Sequence, residues 1–135
     1  MTYSIKATSL ANKAGEIQIK QSQITFGTTF QSSETLANPA ELFLAAFSAC
    51  MLKNVERFSA MMNFSYTKAS VEVQATRLEH PPRMDQINYE LTLYSNDDRL
   101  NVPLLKKNIE KHGTIYNTIE QSCAIIGTIK TTANV

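Results

Sequence analysis

A chain of 135 residues is the size of one domain, residues 1–135, on the usual scale of about 100–200 residues, which excludes a hinged two-domain enzyme. Charged residues are 19% of it, below the roughly 25% of ordinary soluble domains, and 13 Lys+Arg against 12 Asp+Glu leave a net charge of +1 without a basic stripe, so no nucleic-acid partner is expected. The longest apolar run, Leu42–Phe47, is far short of the roughly 20 residues of a membrane span, and the opening Met-Thr-Tyr-Ser-Ile-Lys lacks the apolar core of a secretory signal; a cytoplasmic protein with no membrane role is expected.

The first thirty residues alternate with period two. Tyr3, Ile5 and Ala7 interleave with Ser4, Lys6 and Thr8, Ile17 and Ile19 follow Gly15, and Ile24 to Phe26 precedes Gly27. Short strands with turns between them predict an antiparallel meander. Asn38-Pro39-Ala40-Glu41 then reads as a helix start: Asn as N-cap, Pro at the first helical position, and a Glu three residues after the cap that reaches back to it. No Gly or Pro follows until well past Asn63, so one long helix is predicted to about that residue. Its front half, Leu42 to Leu52, is apolar on every face, which predicts burial all round. Cys50 lies about three turns inside it, beside the small residues Ala46 and Ala49.

Val71 to Arg77 and Ile87 to Leu93 are alternating runs separated by His80-Pro81-Pro82-Arg83, which predicts a long hairpin. Beyond Asp97-Asp98, Val102 to Lys111 fits a helix stopped by Gly113, Thr114 to Ser122 fits another, and Ile125 to Thr132 a last strand. The order β-β-(β)-α-β-β-α-α-β defines an α+β domain with its sheets covering one long central helix.

Cys50 and Cys123 are too far apart for a CxxC redox pair or half of a zinc knuckle, and two histidines, His80 and His112, do not complete a metal cluster. Neither metal nor cofactor is expected. In a reducing compartment two such cysteines are by default small buried hydrophobes. The alternative requires a thiolate, and a cysteine inside a helix becomes one only if a cation or hydrogen-bond donor reaches it from elsewhere.

The segment Asn38-Pro-x-Glu-Leu-Phe-Leu-Ala-Ala-Phe-Ser-Ala-Cys50, followed some seventy residues later by a lone cysteine before a final strand, resembles the OsmC/Ohr family of osmotically inducible and organic hydroperoxide resistance proteins. The likeness covers nearly the whole chain. It implies antiparallel sheets wrapped around a long central helix, an intertwined homodimer with two sites at the interface, and thiol peroxidase chemistry without a cofactor. Cys50 is then the peroxidatic residue, Cys123 the resolving one, and Glu41 the candidate carboxylate, although its place in the capping box already accounts for it. An organic hydroperoxide with an apolar tail is the implied substrate, and a dithiol, such as that of a lipoylated protein, the implied reductant. Family members place an arginine early in the chain; here the first is Arg57, and Lys13 is the candidate substitute. Ala40 stands where the peroxidases carry glutamate, and Ala124 where a proline often follows the second cysteine. These departures motivate a second reading, a non-catalytic protein of the same fold that binds an apolar small molecule in its interface pocket.

Overall fold

The computed structural model describes residues 1–135 and divides into two compact units, Met1–Phe43 and Leu44–Val135.

The first unit is a meander of β1 (Lys6–Ser9), β2 (Gly15–Ile19) and β3 (Ser22–Phe26), antiparallel and in that order. The alternation at Tyr3 and Ile5 does not extend β1 as expected. Lys6 already pairs with Gln18, and β2 turns back at Lys20, which adopts the left-handed conformation at φ 52°, so nothing remains for Tyr3 to pair with. Gly15 is opposite Phe26 in the register, and a Cβ built on it would stand 2.3 Å from the Phe26 ring; the aromatic occupies the space the glycine leaves. The unit ends in the predicted capping box. Asn38 Oδ1 accepts from the Glu41 N–H at 2.8 Å, and Glu41 Oε1 accepts from the Asn38 N–H at 3.0 Å.

Helix α1 (Pro39–Met61) begins at that box and carries the chain into the second unit. It stops before the predicted Asn63 because Asn63 itself turns left-handed, at φ 56°, and Phe64 N–H bonds back to Ser59 O at 3.0 Å while its side chain is buried. That is a Schellman ending, with Asn in the place glycine usually takes. Strands β4 (Lys68–Glu79) and β5 (Pro82–Tyr94) form the expected hairpin, pairing Glu79 with Pro82 across His80-Pro81. Helix α2 (Val102–His112) is capped by Asn101, whose Oδ1 accepts from Leu104 N–H at 3.0 Å; Gly113 separates it from α3 (Thr114–Ile119), and β6 (Ala124–Thr132) closes the chain.

The second sheet, ordered β4-β5-β6, departs from the antiparallel expectation because β6 runs parallel to β5. The two short helices form the crossover that returns the chain to the end of β5 where that strand began, and a parallel neighbour requires such a connection. One face of β5, Ile87, Tyr89, Leu91 and Leu93, meets Phe47, Met51, Val55 and Phe58 of α1 and Leu105 and Ile109 of α2 in one buried cluster. Each such side chain contributes on the order of 1.5–3 kcal/mol through burial. The front of α1 is not buried all round: Ala45, Ala46 and Ala49 are exposed, Phe43 is 41% exposed and Leu52 36%. Within the second unit, the buried side of the helix is the one that faces β5 and α2.

Candidate functional site

Cys50 is half-buried on α1, one turn after Phe47 and one before Asn54, both of which are buried. The helix thus turns the cysteine toward the protein's interior edge, not toward solvent. The Asn54 side-chain amide reaches back one turn: Nδ2 donates to Cys50 O at 2.9 Å and lies 3.6 Å from Cys50 Sγ. On its other side the sulfur meets the junction of α2 and α3, where a Cβ on Gly113 would stand 3.4 Å from Sγ, 3.1 Å from Tyr116 Cβ and 3.0 Å from Ile109 O. Gly113 has an ordinary φ of −75°. Space, not backbone freedom, is what the absence of a side chain provides there.

Cys123 lies between α3 and β6 and is half-buried against the core cluster. Its Sγ donates to Asp85 O at 3.0 Å, and burial, with the Asp85 carboxylate nearby, pushes its thiol up from the ordinary range. Both cysteines are free thiols.

Glu41 is occupied by the cap. Nine residues separate it from Cys50 on the same helix, which is about 14 Å along the axis and a half-turn around it, so the two side chains leave α1 on opposite sides. Lys13 is exposed in the β1–β2 turn and makes no ion pair; its backbone carbonyl accepts from the Thr28 hydroxyl.

Sequence patterns pass over a polar cluster between β5 and α2. Tyr89, buried on β5, donates its hydroxyl to Glu110 Oε2 at 2.7 Å, and Lys106 Nζ meets the same oxygen at 3.0 Å. Burial and Glu110 push the Tyr89 hydroxyl well above the usual tyrosine range, and Tyr116 is pushed up to about 12 by burial and the carboxylates of Glu110 and Glu120. Both rings pack on Phe47, with centroids 6.0 and 6.2 Å away. These are neutral donors at any physiological pH. The signal for Asn54 was present in the sequence: a polar residue four after a cysteine on a helix, spaced with Met51, Val55 and Phe58 on the buried side.

No three His, Cys, Asp or Glu side chains gather as a metal-binding group. No helix is long and apolar enough to cross a membrane. Two open clefts of about 370 and 180 Å³ lie away from the thiols, the first at the end of α1 around Glu56, Ser65 and Tyr66, the second on the outer face of the second sheet around Glu72, Asn88 and Thr128.

A family model described as OsmC-like protein matches residues 31–127. No curated protein sequence matches the chain. Among solved structures, an OsmC-like protein from Mycoplasma pneumoniae superposes with a TM-score of 0.86 at 16% identity, covering 98% of each chain. An organic hydroperoxide resistance protein OsmC from Legionella pneumophila gives 0.65 at 14% identity over 98% of each chain. The organic hydroperoxide resistance protein OhrB of Bacillus subtilis gives 0.64 at 18% identity, over 95% of this chain and 98% of its own. At these identities the likeness is one of fold.

Proposed function

Since the chain belongs to the OsmC-like protein family, we propose that it is a cysteine-based peroxidase that reduces organic hydroperoxides in oxidative stress defence. The observation that carries this reading is the setting of Cys50: a free, half-buried thiol on a rigid helix, with an amide donor on one side and a glycine on the other. A thiolate, not a thiol, is the nucleophile in such chemistry. The Cys50 thiolate attacks the outer peroxide oxygen; the O–O bond breaks, the alkoxide takes a proton from water and leaves as alcohol, and the sulfur becomes a sulfenic acid. The Cys123 thiol then attacks that sulfur, forming a disulfide and releasing water. A dithiol, of the kind a lipoylated protein carries, returns both cysteines to thiols by exchange and is itself oxidised to a disulfide. Glu41 enters as the residue that fixes the start of the helix carrying Cys50.

We further propose that the working unit is a homodimer. The exposed apolar side of α1 and the first sheet, whose β1 is exposed at all four residues, leave surface that a second copy would cover. Sedimentation equilibrium is expected to give twice the chain mass, with Leu52→Asp shifting it toward the monomer.

The activity is tested by mixing reduced protein with cumene hydroperoxide and dihydrolipoamide. Hydroperoxide consumption and an intrachain disulfide are expected, with Cys50→Ser inactive and Cys123→Ser accumulating a dimedone-reactive sulfenic acid. Undiminished turnover in Cys50→Ser overturns the assignment. Ordinary reactivity of both thiols alongside retention of an apolar molecule would favour a binding protein instead.

A further inference from the structure

We infer that Asn54 is a positioning residue that holds the Cys50 sulfur through its side-chain amide and favours the thiolate form. The inference rests on the peroxidase reading only for its biological use; the chemistry concerns the thiol itself.

Asn54 is the one polar residue in the buried set of the whole chain, at 8% exposure, among Met51, Val55 and Phe58. A buried amide costs free energy unless its groups find partners, so its presence on this face requires a reason. A primary amide has two N–H bonds. The shorter contact, 2.9 Å to Cys50 O, uses one and satisfies a helix carbonyl. The same nitrogen lies 3.6 Å from Cys50 Sγ with a second N–H to offer, and Asn54 is the one hydrogen-bond donor that reaches that sulfur. A donor to the charged form of a titrating group favours that form.

No charged side chain hydrogen-bonds the sulfur. Gly113 meets the sulfur with backbone only, and its N–H is already committed to Ile109 O at 3.0 Å. From α2 and α3 the nearby titratable groups are His112, next to Gly113 and packed on Phe58 with ring centroids 5.7 Å apart, and Tyr116, Glu110 and Lys106. Tyr116 stays neutral, Glu110 and Lys106 are paired with each other, and on α1 itself Lys53 and Arg57 are exposed. From β5 comes Tyr89, which is also neutral and donates to Glu110. No arginine precedes Arg57. The group that hydrogen-bonds the sulfur is thus an uncharged donor one helical turn away. The geometry also fixes the rotamer, because a sulfur held between Asn54 and Gly113 cannot swing outward without losing its donor.

The test uses full-length protein in a Cys123→Ser background, so that iodoacetamide reports on Cys50 alone, with the alkylation rate followed from pH 5 to 10. Asn54→Ser retains the backbone contact, since a serine hydroxyl readily bonds the carbonyl four residues back, and leaves no donor for the sulfur. Its alkylation midpoint is expected to rise by about one pH unit, making the rate about tenfold slower on the acid side. Asn54→Leu, of similar size and carrying neither donor nor charge, is expected to move the midpoint in the same direction and covers the case in which Asn54→Ser fails to fold. Wild-type midpoints in whichever of these variants retain native circular dichroism overturn the inference. Hydroperoxide consumption is measured separately: a wild type that shows the Asn54-dependent midpoint yet consumes no cumene hydroperoxide sinks the peroxidase reading and leaves Asn54 standing, and an active enzyme with unmoved midpoints does the reverse.

Discussion

Gly113 lies so close to Cys50 that a methyl group on its Cα would stand 3.4 Å from Sγ. The same methyl would be tighter against Ile109 O and Tyr116 Cβ, at 3.0 and 3.1 Å, and the backbone at φ −75° offers no conformational objection to alanine. Gly113→Ala thus tests space alone. Overpacking of this degree costs about 1 kcal/mol, and the crowded sulfur is expected to alkylate several-fold more slowly than in the wild type. Unchanged melting together with unchanged alkylation would show that the α2–α3 junction does not confine the thiol.

The capping box separates the two readings of Glu41 by stability. Asn38→Ala removes the acceptor for the Glu41 N–H and is expected to cost about 1 kcal/mol in denaturant unfolding. Glu41→Gln keeps an oxygen that can accept from the Asn38 N–H, so its cost is expected to stay below about 0.5 kcal/mol, whereas Glu41→Ala loses that contact. If Glu41→Ala is as stable as the wild type, the reciprocal bonds at 2.8 and 3.0 Å are not what fixes the start of α1.

Local chemistry made the elements legible. The Asn-Pro-x-Glu start of α1, the alternation of β5 and the stop at Gly113 are each written in a few adjacent residues, and each fell where the pattern placed it. What was not legible depends on residues distant in sequence. The parallel register of β6 follows from a crossover, not from its own composition. The exposed side of α1 is as apolar as the buried side, so periodicity could not tell them apart. In the candidate site, Cys50 stood out by its small neighbours and Asn54 was legible from its place four residues on along the same helix, whereas Gly113 read only as a helix stop; its meeting with the sulfur is a tertiary fact.

Glycine plays one further structural part, repeated in both sheets. Gly15 lies under the ring of Phe26, and Gly127 of β6 lies under the ring of Tyr89, its register partner on β5. A Cβ on Gly127 would fall 1.9 Å from the Tyr89 ring, which cannot turn aside freely because its hydroxyl is held by Glu110. Gly127→Ala is expected to destabilise the protein by about 3 kcal/mol, the upper end of overpacking costs. Combining it with Tyr89→Leu removes the clash, so the double variant is expected to be more stable than the sum of the singles by more than about 1 kcal/mol. Additive losses in urea unfolding would mean that the ring and the glycine are not packed on each other.

Asp97 governs the acid side of stability. Its carboxylate accepts from Arg99 Nε and Nη2 at 3.1 and 3.0 Å, from Arg99 N–H at 2.9 Å, and from Ser65 N–H at 2.8 Å, joining the segment after β5 to the segment before β4. Arg99 first, then these backbone donors, hold the carboxyl well below its ordinary value of 3.8. A group whose folded value is depressed stabilises the fold fully above its unfolded value and loses that contribution as pH falls through the folded one. Stability attributable to Asp97 is therefore constant at neutral pH and declines from about pH 4 downward. Asp97→Asn is expected to melt at a lower temperature than the wild type at pH 7, with the difference shrinking as both are titrated from pH 4 toward pH 2. Raised salt should narrow the gap less than for the exposed Arg77–Glu79 pair, because the Asp97 side chain is only 6% exposed and keeps its backbone donors when the ion pair is screened. A melting difference that stays constant down to pH 2 would assign the loss to packing instead of charge.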